Sequence, residues 1–422
     1  MKSAMEALLN SKTPASWISG SARTLDGARL SQTINFARIA LIVGLVFLHY
    51  HAYPNSRTSP FDGMDVAEHP VATFINSFVL FFFFSVVPLL SMVSGWLFFA
   101  LPVDNPGAVL NQRIRRRFVS LYLPLVFWNL LFLAILAILY AQSPHHPLLD
   151  QVNLRFGSAG WLDYLNAVFG ITQHPVGFQF WFVRDLFVTA LVSPVLWWVL
   201  RHAPLLGMAV LGAAWLAGSG LLIFFRADVA FFFYLGALLR LRGTPLQIDR
   251  NVALVLLAVY VALVALRAAA PMFIDFDGAR PALLTLATRL MRLVGVLAVW
   301  GMFLQIAPTR LGARIASYSG LAFFLHAAHF PLIAQIKIVL WRWVPTPSDA
   351  WMVAHYVASV MATVAIAIGV GLLLARGLPR AFALVNGGRL ALVGESPAPS
   401  LEAASGIGGP VAREARGGES RK

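Results

Sequence analysis

Long apolar runs recur along this chain and constrain its fold more than any other feature. Between positions 34 and 375 the sequence passes repeatedly through stretches close to the roughly 20 apolar residues that a helix needs to cross a hydrocarbon core. Inside lipid every backbone N–H and C=O must be satisfied by the chain itself, and runs of this kind meet that demand as α-helices. Composition points the same way. The 422 residues are 59% hydrophobic and 12% charged, against roughly 25% charged in a soluble domain. The expected fold is all-α: a polytopic integral membrane helical bundle.

Ten spans are expected, at 34–52, 73–99, 119–140, 179–200, 204–224, 229–241, 251–270, 283–307, 315–341 and 351–375. The sixth is short against a core about 30 Å thick, so it must thin the bilayer, sit among other helices or let Arg240 snorkel. Residues 1–33 form a polar N-terminal segment, and the apolar run after it starts too late and runs too long for a signal peptide. Arg113, Arg115, Arg116 and Arg117, then Arg240, Arg242 and Arg250, then Arg310 and Arg314 fall on the side shared with the N-terminus. The positive-inside rule makes that side, and both termini, cytoplasmic. Residues 377–422, rich in Gly, Ala, Ser, Pro and Glu towards the end, are expected to be a disordered cytoplasmic tail. The domain between, 34–376, is the membrane domain.

The absence of cysteine excludes disulfides, thiolate catalysis and Cys-ligated metals, leaving His, Asp, Glu, Arg, Ser and Tyr for any chemistry. No glycine-rich phosphate loop and no HExxH is present, which argues against an ATP-driven pump. The formal charge of +14 comes mostly from residues flanking apolar runs, so it reads as membrane topology and not as a nucleic-acid surface.

Ionisable groups within a span cost several kcal/mol against lipid and are functional candidates by default. Arg38 and His49 lie in the first span; at about 100° and 1.5 Å per residue they share a face and stand about 16 Å apart along the axis. Spacing alone equally allows a snorkelling arginine and an interfacial histidine. The fourth span opens with Trp181, Phe182, Val183, Arg184 and Asp185, readable as a working ion pair or as an interfacial anchor. His326 and His329 lie on nearly one face of the ninth span. A third ligand for a metal is not visible, so no metal is expected. Counted from Arg314, His329 lies about 22 Å into its span, at the outer depth of His49 and Arg184, and Arg289 and Arg292 enter the eighth span from that side. Histidine suits proton abstraction from a hydroxyl, and arginine can hold an acyl oxygen or a sugar.

Several motifs occur in a telling order. Arg38 and His49 bracket ARIALIVGLVFLHY, followed by the phenylalanine-rich FVLFFFFSVVPLLSMVSGWLFF and by RIRR, from Arg113 to Arg116, before LYLP. WFVRDLF at 181–187, FFFYLGALL at 231–239 and SYSGLAFFLHAAHFPL at 317–332 follow. Together they resemble the membrane acyltransferase 3 family, whose members carry acyl groups from cytoplasmic acyl-CoA to glycans and other hydroxyl acceptors. The resemblance implies that His49 is the catalytic base or acyl relay, with Arg38 its partner, and that Arg113 and Arg116 contact acyl-CoA. The family's single His before a Pro matches His329, which leaves His326 as an extra.

On this basis the expected function is a membrane O-acyltransferase of the bacterial inner membrane. Acyl-CoA serves as co-substrate and no cofactor is permanently bound; acetyl is the default group and succinyl remains open. The acceptor is expected to be a hydroxyl of an extracytoplasmic or lipid-linked glycan, with Arg184, Asp185 and His329 orienting it or stabilising the oxyanion, and Trp161 and Trp181 stacking on sugar rings. Two rivals remain at this stage. A proton-coupled secondary transporter would show inverted repeats, and none is evident. A non-catalytic component of polysaccharide export would make His49 dispensable.

Overall fold

A computed structural model describes residues 27–50, 53–54, 67–101, 105–146, 148–273, 280–344 and 348–389. Among these residues the regular structure is helical throughout and no strand occurs. Helix α1 is Gly27–Leu48, while α2 (Pro70–Phe83) and α3 (Val86–Phe98) follow each other across a short break. Helix α4 (Pro106–Arg117) passes through a π turn, Phe118–Tyr122, into α5 (Leu123–Gln142). A short α6 (Trp161–Phe169) leads to α7 (Trp181–Leu191) and α8 (Ser193–His202), then α9 (Pro204–Ala217) and α10 (Ala227–Leu241). The chain continues as α11 (Arg250–Ala269), α12 (Arg280–Ile306), α13 (Arg310–Ala316), α14 (Ala322–Trp341), α15 (Asp349–Gly377) and α16 (Pro379–Val385).

Every expected span coincides with helix, but not every one is long enough to cross alone. Seven continuous stretches are long and apolar enough, and α7 with α8, bent by 59°, makes an eighth if taken as one. Pro194 begins the second arm of that bend, where its missing N–H breaks the hydrogen-bond ladder. The other two are α9 and α10, of 14 and 15 residues, which reach only about 21–23 Å at 1.5 Å per residue.

Helix α10 is accommodated by burial among its neighbours. Val229, Ala230, Phe232, Phe233, Tyr234 and Ala237 are fully shielded. Gly95 of α3 faces the Phe233 carbonyl and Gly236 of α10 faces the Met92 carbonyl, each at a distance that leaves no room for a Cβ. Such reciprocal glycines let two helix backbones close on each other. Arg240 lays its guanidinium over the Trp96 ring, 4.3 Å from the centroid.

Helix α1 lies at the centre, against α2, α3, α13 and α14. Two thirds of its most apolar window is buried, as for α2–α3, whereas α11 buries 22% and α15 33%. The peripheral helices therefore keep apolar sides for lipid, and the helix that carries Arg38 and leads into His49 does not. At one end of the bundle, which we call the basic end, Gln32 donates to the Ala307 carbonyl at 2.9 Å. At the far end, Tyr53 donates to the Met352 carbonyl at 3.0 Å, and the Ala72 N–H donates to Asp349 at 3.1 Å.

Order extends beyond both expected domain limits. Helix α1 begins at Gly27, before position 34, and the chain does not leave the bundle at 377. Phe382 of α16 is fully buried. The Asn386 side chain accepts from the Phe324 N–H at 3.1 Å and donates to the Gly320 carbonyl at 2.8 Å, while Trp128 donates to the Val385 carbonyl at 2.9 Å. The rest of the expected tail, 390–422, and the N-terminal residues 1–26 lie outside the described residues.

Candidate active site

The site begins with a proline. Pro331 inside α14 has no N–H for the Ala327 carbonyl, and Phe330 leaves helical geometry at φ −114°, ψ 129°. The Gln179 side-chain amide fills the gap, donating to Ala327 at 3.1 Å and Phe330 at 3.2 Å. His329 sits immediately before this break. On the other side, the end of α1 is held by Tyr356, which donates to the Phe47 carbonyl at 3.2 Å, and by Lys337, which donates to the Tyr50 carbonyl at 2.8 Å. His355 bridges the Tyr50 hydroxyl, at 2.8 Å, to the Lys337 carbonyl, at 3.0 Å. His49 lies between these anchors.

The two histidines meet. His49 Nδ1 is 2.7 Å from His329 Nε2, with the rings stacked 5.0 Å apart at 11°. His329 Nδ1 is 3.2 Å from the Leu325 carbonyl. A carbonyl only accepts, so His329 carries its proton on Nδ1, and in the neutral ring Nε2 is then an acceptor. His49 must donate to it from Nδ1. The tautomers assigned in this way place the basic lone pair of His49 on Nε2. His329 is fully buried and His49 half-buried, with the Phe178 ring edge-on to His49 at 5.0 Å.

Arg184 and Asp185 form a second buried pair, 2.8 Å apart, and their hydrogen bonds go to backbone. Arg184 donates to the carbonyls of Gly170 and Ile171, each at 2.9 Å, and of Ile223 at 2.5 Å. Asp185 accepts from the N–H groups of Phe225 and Arg226 at 3.1 and 2.9 Å. The pair ties the 170–171 and 223–226 loops to α7. Trp161 is exposed, and the Trp181 ring carries the Arg226 guanidinium at 4.7 Å.

His326 lies near the histidine pair, its ring 5.7 Å from that of His329, inside a wall formed by Phe180, Phe182 and Phe323. Neither of its nitrogens has a hydrogen-bond partner among the described residues. No group of three or more His, Cys, Asp or Glu side chains among them forms a metal site.

At the basic end, the arginines of the 113–117 run divide by helical face. Arg113 caps the end of α3, donating to the carbonyls of Leu97 at 3.1 Å, Ala100 at 2.7 Å and also Phe98. Arg116 is exposed. Arg117, one turn beyond Arg113, points inward, donates to Ser94 at 3.1 Å and feels the positive charge of Arg38. A third arginine joins them: Arg389 feels both Arg38 and Arg117. Its position follows from Pro124, which has no N–H for the Ser120 carbonyl. The ladder shifts into the π turn, and the Ser120 carbonyl accepts from Arg389 at 3.5 Å. Among the described residues no carboxylate forms an ion pair with any of these three arginines.

Sequence reasoning singled out His49, His329 and Arg38 and missed Arg389, which lay in the presumed tail. It also passed over Tyr50, Tyr356 and His355, which anchor the end of α1. The LHY tripeptide and the position of His355 within a span were the available signals.

Comparison with known proteins places the chain in a family. The model of a family described as an acyltransferase domain matches residues 32–375, which contain the histidine pair, Arg38 and Arg117. The succinoglycan biosynthesis protein ExoH of Rhizobium meliloti (strain 1021) is 26% identical over 364 residues, covering 86% of this chain and 93% of that protein. No solved structure matches. The protein is an O-acyltransferase enzyme with multiple membrane-spanning helices, and the chain belongs to the acyltransferase 3 family.

Proposed function

We propose that the protein transfers an acyl group, acetyl by default, from acyl-CoA on the cytoplasmic side to a hydroxyl of an extracytoplasmic or lipid-linked glycan in a bacterial inner membrane. The observation that carries this reading is the His49–His329 pair. The likeness to a protein named for succinoglycan biosynthesis supports a polysaccharide acceptor and keeps succinyl as the alternative group. In this orientation the ten helical passes leave both termini, and the basic end, in the cytoplasm.

His49 Nε2 takes the proton of the acceptor hydroxyl as its oxygen attacks the thioester carbonyl. The tetrahedral intermediate then collapses, the C–S bond breaks, and the same nitrogen returns the proton to the leaving thiolate, giving the ester and free CoA. His329 acts through His49. It fixes the ring by accepting from Nδ1 and stabilises the imidazolium that forms, the part that a carboxylate plays in a Ser-His-Asp triad. Arg38, Arg117 and Arg389 suit the phosphates of the donor, because a guanidinium presents paired donors and no carboxylate among the described residues pairs with any of the three. Arg38 stands about 16 Å from His49 along α1, and the acyl-bearing arm bridges that gap. Arg113, committed to backbone carbonyls, holds the α3–α4 corner.

The test compares glycan acylation in cells expressing wild type, His49→Ala, Arg38→Ala and Arg113→Ala at matched protein levels. The His49 variant is expected to lose acylation by at least about 10³-fold. Unchanged acylation would remove His49 as the base.

A further inference from the structure

The turn that leads into α7 borders His49, His329 and His326 together. Residues 178–180 form a single 3-10 turn. Phe178 stands edge-on to His49 at 5.0 Å and Phe180 edge-on to His326 at 5.6 Å. Gln179, between them, is bonded to the α14 backbone on both sides of His329. Its amide donates to the Ala327 carbonyl, two residues before His329, at 3.1 Å, and to the Phe330 carbonyl, one residue after it, at 3.2 Å. The turn is itself anchored. The Gly177 N–H donates to Asn129 Oδ1 at 3.1 Å, and Asn129 Nδ2 donates to the Val168 carbonyl at 3.0 Å, which ties the turn to α5 and to the end of α6.

Packing alone does not account for an amide at this position. Gln179 is 1% exposed, and its Oε1 is buried without a hydrogen-bond partner among the described residues. An unmatched buried acceptor is costly, and a leucine would not carry that cost. Both of the acceptors that the side chain meets are carbonyls, so its NH₂ end must face them and the residue is held by its donor end. The Ala327 carbonyl is the one that loses its helical donor at Pro331, and Phe330 departs from helical geometry. Without the amide, the residues around the break would be free to turn, and His329 lies among them. The 2.7 Å bond between His329 and His49, made by rings stacked at 11°, tolerates little such movement, because a hydrogen bond weakens steeply with misalignment.

We infer that Gln179 is a positioning residue for acyl transfer: its amide holds the break in α14 and so keeps His329 aligned with His49. The inference rests on the proposed role of His49 as base. Gln179 acts through His329 and takes no part in making or breaking bonds.

Acyl transfer by the full-length protein, purified in detergent, is measured as kcat per folded molecule for Gln179→Leu and Gln179→Glu. Gln179→Leu removes both donors and should lower kcat about tenfold, with KM for the acyl donor unchanged. In the His329→Ala enzyme the same substitution should cost nothing further, because the residue through which it acts is gone. Gln179→Glu keeps one donor when protonated and none when ionised. Its kcat should fall as pH rises, over the range in which wild type gains activity as His49 becomes neutral. A residue that served stability alone would lower the yield of folded enzyme and leave kcat and its pH dependence as in wild type. That result, or an undiminished further loss in the His329→Ala background, would overturn the assignment. Should Gln179→Leu fail to fold, the pH profile of Gln179→Glu decides alone. An active His49→Ala enzyme would remove the base and the role of Gln179 with it, whereas an inactive His49→Ala beside unaltered Gln179 variants would remove the role of Gln179 only.

Discussion

His49–His329 and Arg184–Asp185 are both buried polar pairs on membrane helices, and they use their hydrogen bonds in opposite ways. Arg184 and Asp185 direct theirs to five backbone groups in two loops. The histidines form a chain from the Leu325 carbonyl through His329 to His49. One pair clamps loops, and under the proposed function the other is a base with its orienting partner. Burial and charge alone do not separate them; the destination of each hydrogen bond does.

Substitutions that treat the pairs alike should separate them sharply. The largest effect is expected for Asp185→Ala, which leaves Arg184 charged, buried and without its carboxylate, at a cost of about 3–5 kcal/mol. The solubilised protein should unfold at markedly lower temperature, while the folded fraction keeps its turnover per molecule. His329→Ala should show the converse emphasis: a smaller loss of thermal stability than Asp185→Ala and a kcat per folded molecule lower by about 10²-fold, measured with purified enzyme and acceptor. Next come Arg117→Gln and Arg389→Gln, each expected to raise KM for the acyl donor about tenfold with kcat little changed, since each removes a contact made equally in the ground and transition states. Arg116→Gln should be smallest. Its exposed side chain sits outside the cluster, and the change should stay within about 0.5 kcal/mol in stability, with KM unmoved.

Much of this architecture was legible in the sequence, and what was not has physical reasons. Apolar runs mark helices because lipid allows the backbone little else, so each expected span contains helix among the described residues, while seven or eight are long and apolar enough to cross. The short α10 gave three ways out, and only packing chose burial, through glycines whose partners are remote in sequence. His49 and His329 were readable because each stands in a local motif. Their mutual hydrogen bond was not, since it joins residues 280 positions apart. Arg184 beside Asp185 reads the same whether it serves chemistry or loops. In the basic run, helical periodicity puts both Arg116 and Arg117 beside Arg113, so only the packing separates the inward Arg117 from the exposed Arg116. Arg389 was hidden because the composition after 377 resembles a tail, while the contacts of Asn386 and Phe382 that order it come from α14 and its flanking turn.

The claim that His49 and His329 act as one unit is tested most directly by a double-mutant cycle on acyl transfer with the purified enzyme. If His329 works only by orienting and charge-balancing His49, its removal from the His49→Ala enzyme should cost nothing further, and the double variant should match His49→Ala. Losses that multiply independently would contradict the account.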